Sequence, residues 1–147
     1  MLLKNAVLKV KIESVSGDGQ GVARVDGQVI FVPYTAIGDE AEILIIKTTK
    51  TYAVGKVLNI ITPSESRVDI DCGSFLKCGG CAFRHLSLDE EQRIKTQSVR
   101  DAMQRIGNIN VEVEPALITP YTSYRNKVQF PVAMEKQGLA IGYYRPR

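Results

Sequence analysis

No run of apolar residues in this chain approaches the roughly 20 needed to cross a bilayer. The opening stretch interrupts its apolar residues with Lys4, Lys9 and Lys11, so it lacks the unbroken hydrophobic region of a secretory signal. Membrane and secreted classes are thereby set aside, and the expected location is the cytoplasm. Charge imbalance is also small: 19 Lys and Arg against 16 Asp and Glu give +3. That balance is compatible with a polyanionic partner without arguing for one. Internal repeats and low-complexity tracts are absent, and 44% hydrophobic with 24% charged residues is a globular composition without a disordered tail. A length of 147 residues holds one ordinary domain or two small ones.

What is present divides into two segments. Up to about Ile61 short strands alternate with turn chemistry. Val7 to Glu13 alternates lysines with Leu8, Val10 and Ile12, and Gly17-Asp18-Gly19 breaks the run. Gly21 to Val25 and Gln28 to Val32 flank Asp26-Gly27, a two-residue hairpin signal. Ala41 to Lys47 and Tyr52 to Ile61 complete five strands without a helix, the pattern of a small five-stranded OB-like barrel over residues 1–62.

Thr62 to Ser66 is polar and contains Pro63, marking a boundary. Residues 63–147 then predict a partial α+β domain, so that the whole chain is mainly β with one helix. Ser87 to Ile106 is that helix, opened by a Ser87–Glu90 capping box and stopped at Gly107. Ile94, Ala102, Met103 and Ile106 share its apolar face. Val111 to Ile118 reads as extended. Tyr124 to Val132 and Leu139 to Tyr144 read as an antiparallel pair turned near Gln137-Gly138, with Pro131 confining the first to an edge or a bulge. One helix and an incomplete sheet suggest a cut through a longer protein.

The three cysteines, Cys72, Cys78 and Cys81, lie within ten residues as C-x5-C-x2-C. An odd, tight cluster without a secretory signal points to metal ligation over disulfides. The x2 interval lets two thiolates face one ion from a tight turn, and Gly79-Gly80 is able to take positive φ and aim N–H groups at sulfur. Soft thiolates select zinc or an iron–sulfur cluster, both commonly four-coordinate. From spacing alone either His85 completes a Cys3His zinc site or a fourth cysteine lies beyond residue 147.

Several segments together resemble one family. Gly19-Gln20-Gly21-Val22-Ala23-Arg24, Ile30-Phe31-Val32-Pro33 and Ile37-Gly38-Asp39 resemble the TRAM domain, a small RNA-binding barrel. Ser66-Arg67-Val68, the cysteine cluster, Arg84-His85-Leu86 and Tyr124-Arg125-Asn126-Lys127-Val128-Gln129-Phe130 are similar to the following segments of RNA (uracil-5-)-methyltransferases, those of 23S rRNA above all. The resemblance implies a [4Fe–4S] cluster on Cys72, Cys78, Cys81 and a cysteine downstream, with His85 not a ligand. It also implies a Rossmann-like domain binding S-adenosylmethionine, where a cysteine thiolate adds to C6 of uracil and a carboxylate removes the C5 proton. All three cysteines here are committed to the cluster. Gly17-Asp18-Gly19-Gln20-Gly21 precedes a strand rather than a helix, so it is no nucleotide loop. Catalytic and cofactor-binding residues are thus expected outside this chain, which alone should be inactive. The alternative is a free-standing RNA-binding module with a structural Cys3His zinc site.

RNA recognition of this kind uses stacking and phosphate contacts. Tyr34 and Tyr52 are the candidate rings, with Phe31 better suited to packing, and Arg24, Lys50 and Lys56 supply charge. In the later segment Arg125, Lys127 and Gln129 would share one strand face and leave Val128 and Phe130 for the core. Helix charges Arg93, Lys95, Arg100 and Arg105 are balanced by Asp89, Glu90, Glu91 and Asp101, a solvated face. The expected partner is RNA, namely 23S rRNA, and the expected oligomeric state is a monomer.

Overall fold

The computed structural model describes residues 2–117 and 126–145. Six strands, β1 (Val7–Lys11), β2 (Ser14–Val15), β3 (Gln20–Val25), β4 (Gln28–Pro33), β5 (Glu40–Thr48) and β6 (Tyr52–Thr62), form one sheet in the order β1-β5-β6-β4-β3-β2. Only β4 and β6 run parallel. The mainly β character stands, with six strands in place of five. The extra one arises because the run starting at Val7 bends after Lys11. Its first part pairs with β5, and its continuation Ser14–Val15 pairs with β3. The Glu13 N–H bonds the Val22 carbonyl at 2.9 Å. One sequence run thus feeds both edges and curls the sheet towards closure, which removes exposed edge groups.

The alternation sends Val10, Ile12, Ala23, Ile30, Val32, Ala41, Ile43, Ile45 and Ala53 into one core. The hairpin expected at Asp26-Gly27 forms, with φ of 49° and 76° as a type I′ turn requires. Gly21 faces inward where a Cβ would lie 1.9 Å from Thr35 Oγ1. Only glycine fits there.

A buried charge pair joins the barrel to the cysteine-bearing segment. After β4, Tyr34 takes φ 65° and the chain folds back so that Asp39, fully buried, points at its own loop. The Asp39 carboxylate accepts from Ala36 N at 2.6 Å, Ser64 N at 2.9 Å, Arg67 Nε at 2.8 Å and Arg67 Nη2 at 2.6 Å. Arg67 Nη2 also donates to the Tyr34 carbonyl at 2.9 Å. The polar stretch after β6 is therefore bonded to the barrel through Ser64 and Arg67. Beside it a second, smaller core of Ala36, Leu86 and Ile94 is flanked by Val15 and Phe83.

Helix α1 (Leu88–Asp101) is capped by Ser87, whose Oγ accepts from Glu90 N at 3.3 Å. The box is only half made, because the Glu90 carboxylate pairs with Arg93 and the Ser87 N–H bonds the Ser66 carbonyl instead. Of the expected apolar face only Ile94 is buried; Ala102, Met103 and Ile106 are exposed. The helix closes in a π-helical turn, Ala102–Ile106, and Asn108 rather than Gly107 takes the left-handed conformation. Residues 111–117 find no strand partner among the described residues. Their backbone is bound by the helix: Ala116 N donates to Thr96 Oγ1 at 3.0 Å and Arg100 Nη2 donates to the Val113 carbonyl at 3.3 Å. Ile118 and Tyr124 lie outside the described residues. The expected antiparallel pair is shorter than the sequence pattern, β7 (Val132–Glu135) with β8 (Gly138–Ile141). β7 begins only after Pro131, which has no N–H to give a ladder.

Removing one partner of a buried ion pair strands the other charge, at a cost of about 3–5 kcal/mol. Arg67→Ala is therefore expected to destabilise the chain by that order in urea unfolding. Burial raises the Asp39 carboxyl, but Arg67 and the amides of Ala36 and Ser64 outweigh it and hold it below the ordinary carboxylate value. A depressed folded value gives stability that is complete above about pH 4 and is lost as pH falls through the lowered value. Asp39→Asn should flatten that acid limb of the stability profile.

Candidate nucleic-acid interface and cysteine loop

The cysteine segment rises from a short antiparallel stem. Arg67 and Leu86 form a β-bridge, the Val68 N–H bonds the His85 carbonyl at 3.2 Å, and Arg84 grips Asp71 with two bonds of 2.7 Å. All three cysteines fall within this clip. Phe75, buried at the loop's base, meets Tyr34 edge-on at 5.2 Å, so the barrel also holds the loop by an aromatic contact.

Cys72 and Cys78 are half-buried, Cys81 is exposed, and all are free thiols. Neither Gly79 nor Gly80 takes positive φ, and the Gly79 N–H donates to the Tyr144 carbonyl at 3.1 Å rather than towards sulfur. The reason for glycine here is different from the one expected. A Cβ on Gly80 would lie 3.0 Å from the Tyr143 ring, so the turn is bare where the C-terminal segment crosses it. Among the described residues no three His, Cys, Asp or Glu side chains are gathered to hold a metal ion. In kind the donor set suits a soft metal or cluster, and the Arg84 guanidinium, held by Asp71, lies within electrostatic reach of Cys81 and Cys72. In number it is one thiolate short of four.

Among the described residues His85 is not gathered with the cysteines into a group that could hold a metal ion. It is 1% exposed, with Nε2 at 3.2 Å from the Thr35 carbonyl and its ring against Phe75 and Tyr34. Its Nδ1 has no hydrogen-bond partner among the described residues. Burial pulls its pKa down, ahead of the opposing Thr35 bond, so the ring is neutral at pH 7. Its place is in the packing between barrel and loop.

The candidate RNA-contacting residues separate into three places. Tyr34 turns towards the cysteine loop, where burial and then the Cys78 charge push its phenol up, and it does not join Tyr52. Tyr52 instead meets Phe31 at 5.8 Å and 73° on the outer side of the sheet, with Lys47 Nζ 5.8 Å from the Tyr52 ring centre. Lys47 was not among the cations singled out from sequence, since strict alternation gives it no outward position. Lys127 and Gln129 are exposed, but residues 126–130 are not a strand. Val128 and Phe130 are 46% and 47% exposed rather than core, and Phe130 rests edge-on against Tyr143 at 5.3 Å. Arg125 lies outside the described residues. On the helix, Arg93, Lys95 and Arg105 pair with Glu90, Glu91 and Asp101 as expected of a solvated face.

A family model of the TRAM domain matches residues 2–58. The chain is 46% identical over 146 residues to a Clostridium tetani protein named uncharacterized RNA methyltransferase, and 41% identical over 146 residues to one from Halalkalibacterium halodurans. Each alignment takes in 98% of this chain and 32% of the relative, so the chain spans about a third of the length of the curated relatives it matches. Among solved structures, the Pyrococcus abyssi tRNA (uracil-54, C5)-methyltransferase bound to S-adenosyl-L-homocysteine aligns with a TM-score of 0.55 and 28% identity, covering 92% of this chain and 28% of that one.

If His85 packs rather than ligates, His85→Ala should lower the thermal midpoint yet leave the metal content of purified protein unchanged. Loss of metal in that variant, measured by elemental analysis, would return His85 to the ligand set. A TRAM-domain model thus matches residues 2–58, and nearly the whole chain is similar to about a third of the length of proteins named RNA methyltransferase.

Proposed function

We propose that this chain is the RNA-recognising portion of an S-adenosylmethionine-dependent RNA methyltransferase that modifies C5 of uracil in 23S rRNA. The observation that carries the uracil C5 part of the reading is the alignment of 92% of the chain, at 28% identity, with a tRNA (uracil-54, C5)-methyltransferase of known structure. The choice of 23S rRNA rests on the resemblance of the cysteine segment and the stretch at residues 124–130 to the 23S rRNA enzymes. The TRAM match over residues 2–58 supports RNA as the partner. S-adenosylmethionine would supply the methyl group from a site outside this chain, whose own residues bind and orient rather than react.

Cys72, Cys78 and Cys81 are proposed as three ligands of a [4Fe–4S] cluster whose fourth ligand lies elsewhere in the longer polypeptide. The proposal rests on donor chemistry and on the Asp71–Arg84 clip, which brings both ends of the cysteine segment together. Such a group would stabilise the loop, which buries little besides Phe75. Lys127 and Gln129, exposed beside the Phe130–Tyr143 contact, are proposed to meet RNA phosphate, and Arg125 is proposed with them from sequence.

A polypeptide of the relatives' full length, purified without oxygen, should be brown and hold about four irons with matching sulfide. It should methylate an rRNA fragment in preference to a tRNA transcript. Stoichiometric zinc would overturn the cluster, and tRNA preference would overturn the rRNA assignment. Lys127→Ala should remove a single phosphate interaction and so lower the slope of log affinity against log salt by about 0.7–0.9.

A further inference from the structure

The outer side of the sheet carries a feature that its alternation does not produce. Ala41, Ile43 and Ile45 point into the core at alternate positions, and the same period would drive Lys47 in after them. Between Ile45 and Lys47 the register shifts. Ile45 pairs with Gly55, but Lys47 pairs with the very next residue of β6 towards its start, Val54. Ile46 is the extra residue of a β-bulge, the device by which a strand re-aims a side chain. It turns Lys47 outward. Thr48 then points in, paired with Ala53, its Oγ1 buried and without a hydrogen-bond partner among the described residues. The bulge thus leaves a hydroxyl without a partner and brings a cation over the Tyr52 ring.

Around Lys47 the neighbouring strands complete a platform. Val54 lies between Phe31 on β4 and Lys47 on β5 in the cross-strand register, and Tyr52 meets Phe31 edge-on. Lys56 and Arg24 are exposed on the adjoining strands. Neither β3, β4, β6 nor residues 44–48 of β5 contain a carboxylate. Arg24 is engaged by Glu13 at 3.7 Å, which leaves the rings with Lys47 and Lys56. Rings beside cations are the combination by which sheets of this kind hold unpaired bases: a base stacks on the ring and the cation meets the phosphate.

We infer that Tyr52, Phe31 and the bulge-turned Lys47 form a stacking site for an unpaired nucleotide of single-stranded RNA. The inference rests on the RNA reading above and adds the class of RNA and the place of contact. Lys47 occupies the ring face in the free protein. On binding, the base takes that face and the ammonium shifts to the flanking phosphate. Duplex RNA, whose bases are already stacked, gains nothing from the rings.

The test measures binding of the 147-residue chain to fluorescein-labelled decauridylate and to a labelled RNA duplex of the same length, by anisotropy across a salt series. Tyr52→Ala should weaken decauridylate binding about tenfold, Tyr52→Phe less than about twofold, and neither should change duplex binding. Lys47→Gln should reduce the single-strand salt slope by about 0.7. Thermal unfolding of each variant reports loss of fold, and Tyr52→Phe keeps the ring should Tyr52→Ala lose it. Unchanged decauridylate binding in Tyr52→Ala, or equal losses on strand and duplex, would overturn the platform. If Lys127→Ala still weakens binding in that case, RNA recognition survives and only its location here fails. If the unsubstituted chain binds neither RNA, the RNA reading itself falls.

Discussion

A single buried carboxylate holds the two halves of this chain together. Asp39 lies at 0% exposure and would be intolerable there alone. It is satisfied by the amides of Ala36 in its own loop and Ser64 after β6, and by Nε and Nη2 of Arg67. Planar, bidentate pairing is what arginine offers and lysine does not. Because Arg67 also donates to the Tyr34 carbonyl, the turn after β4 and the start of the cysteine stem are set by the same guanidinium. From that point the stem, the Phe75–Tyr34 contact and the buried His85 are packing consequences.

That joint gives the cysteine loop a defined base while leaving its thiols accessible. Clipped by Asp71 and Arg84 and crossed by Tyr143 and Tyr144, the loop lies between the barrel and the C-terminal hairpin. The hairpin has little core of its own: Val132, Met134, Leu139 and Ile141 are 60–78% exposed. Two strands alone are marginal in water, so the loop is one of its few anchors. A group bound to the cysteines would stiffen both.

Much of the barrel was legible from residue order. The period-two runs, the Asp26-Gly27 turn and the Ser87 cap each describe interactions between near neighbours, and each appears where the pattern put it. The later segment was less legible for a physical reason. Ala102, Met103 and Ile106 have helical spacing but lie exposed, and Val128 and Phe130 alternate but are about half exposed and in no strand among the described residues. Periodicity marks which side of an element is apolar; it does not supply the partner.

The amino-acid order by itself determined the strand-rich first half, the single helix and the clustered thiols, because these are written in local spacing and composition; the likeness to RNA methyltransferases came from motifs shared with that family. Only the tertiary structure decided that Tyr34 and His85 meet Phe75 at the joint between barrel and cysteine loop, that Gly80 lies against Tyr143, and that Lys47 faces Tyr52. Those outcomes depend on contacts between residues far apart in the chain and on a one-residue slip in strand pairing. A slip of that kind reverses the facing of every side chain after it, and the energy that selects it comes from the packed sheet as a whole.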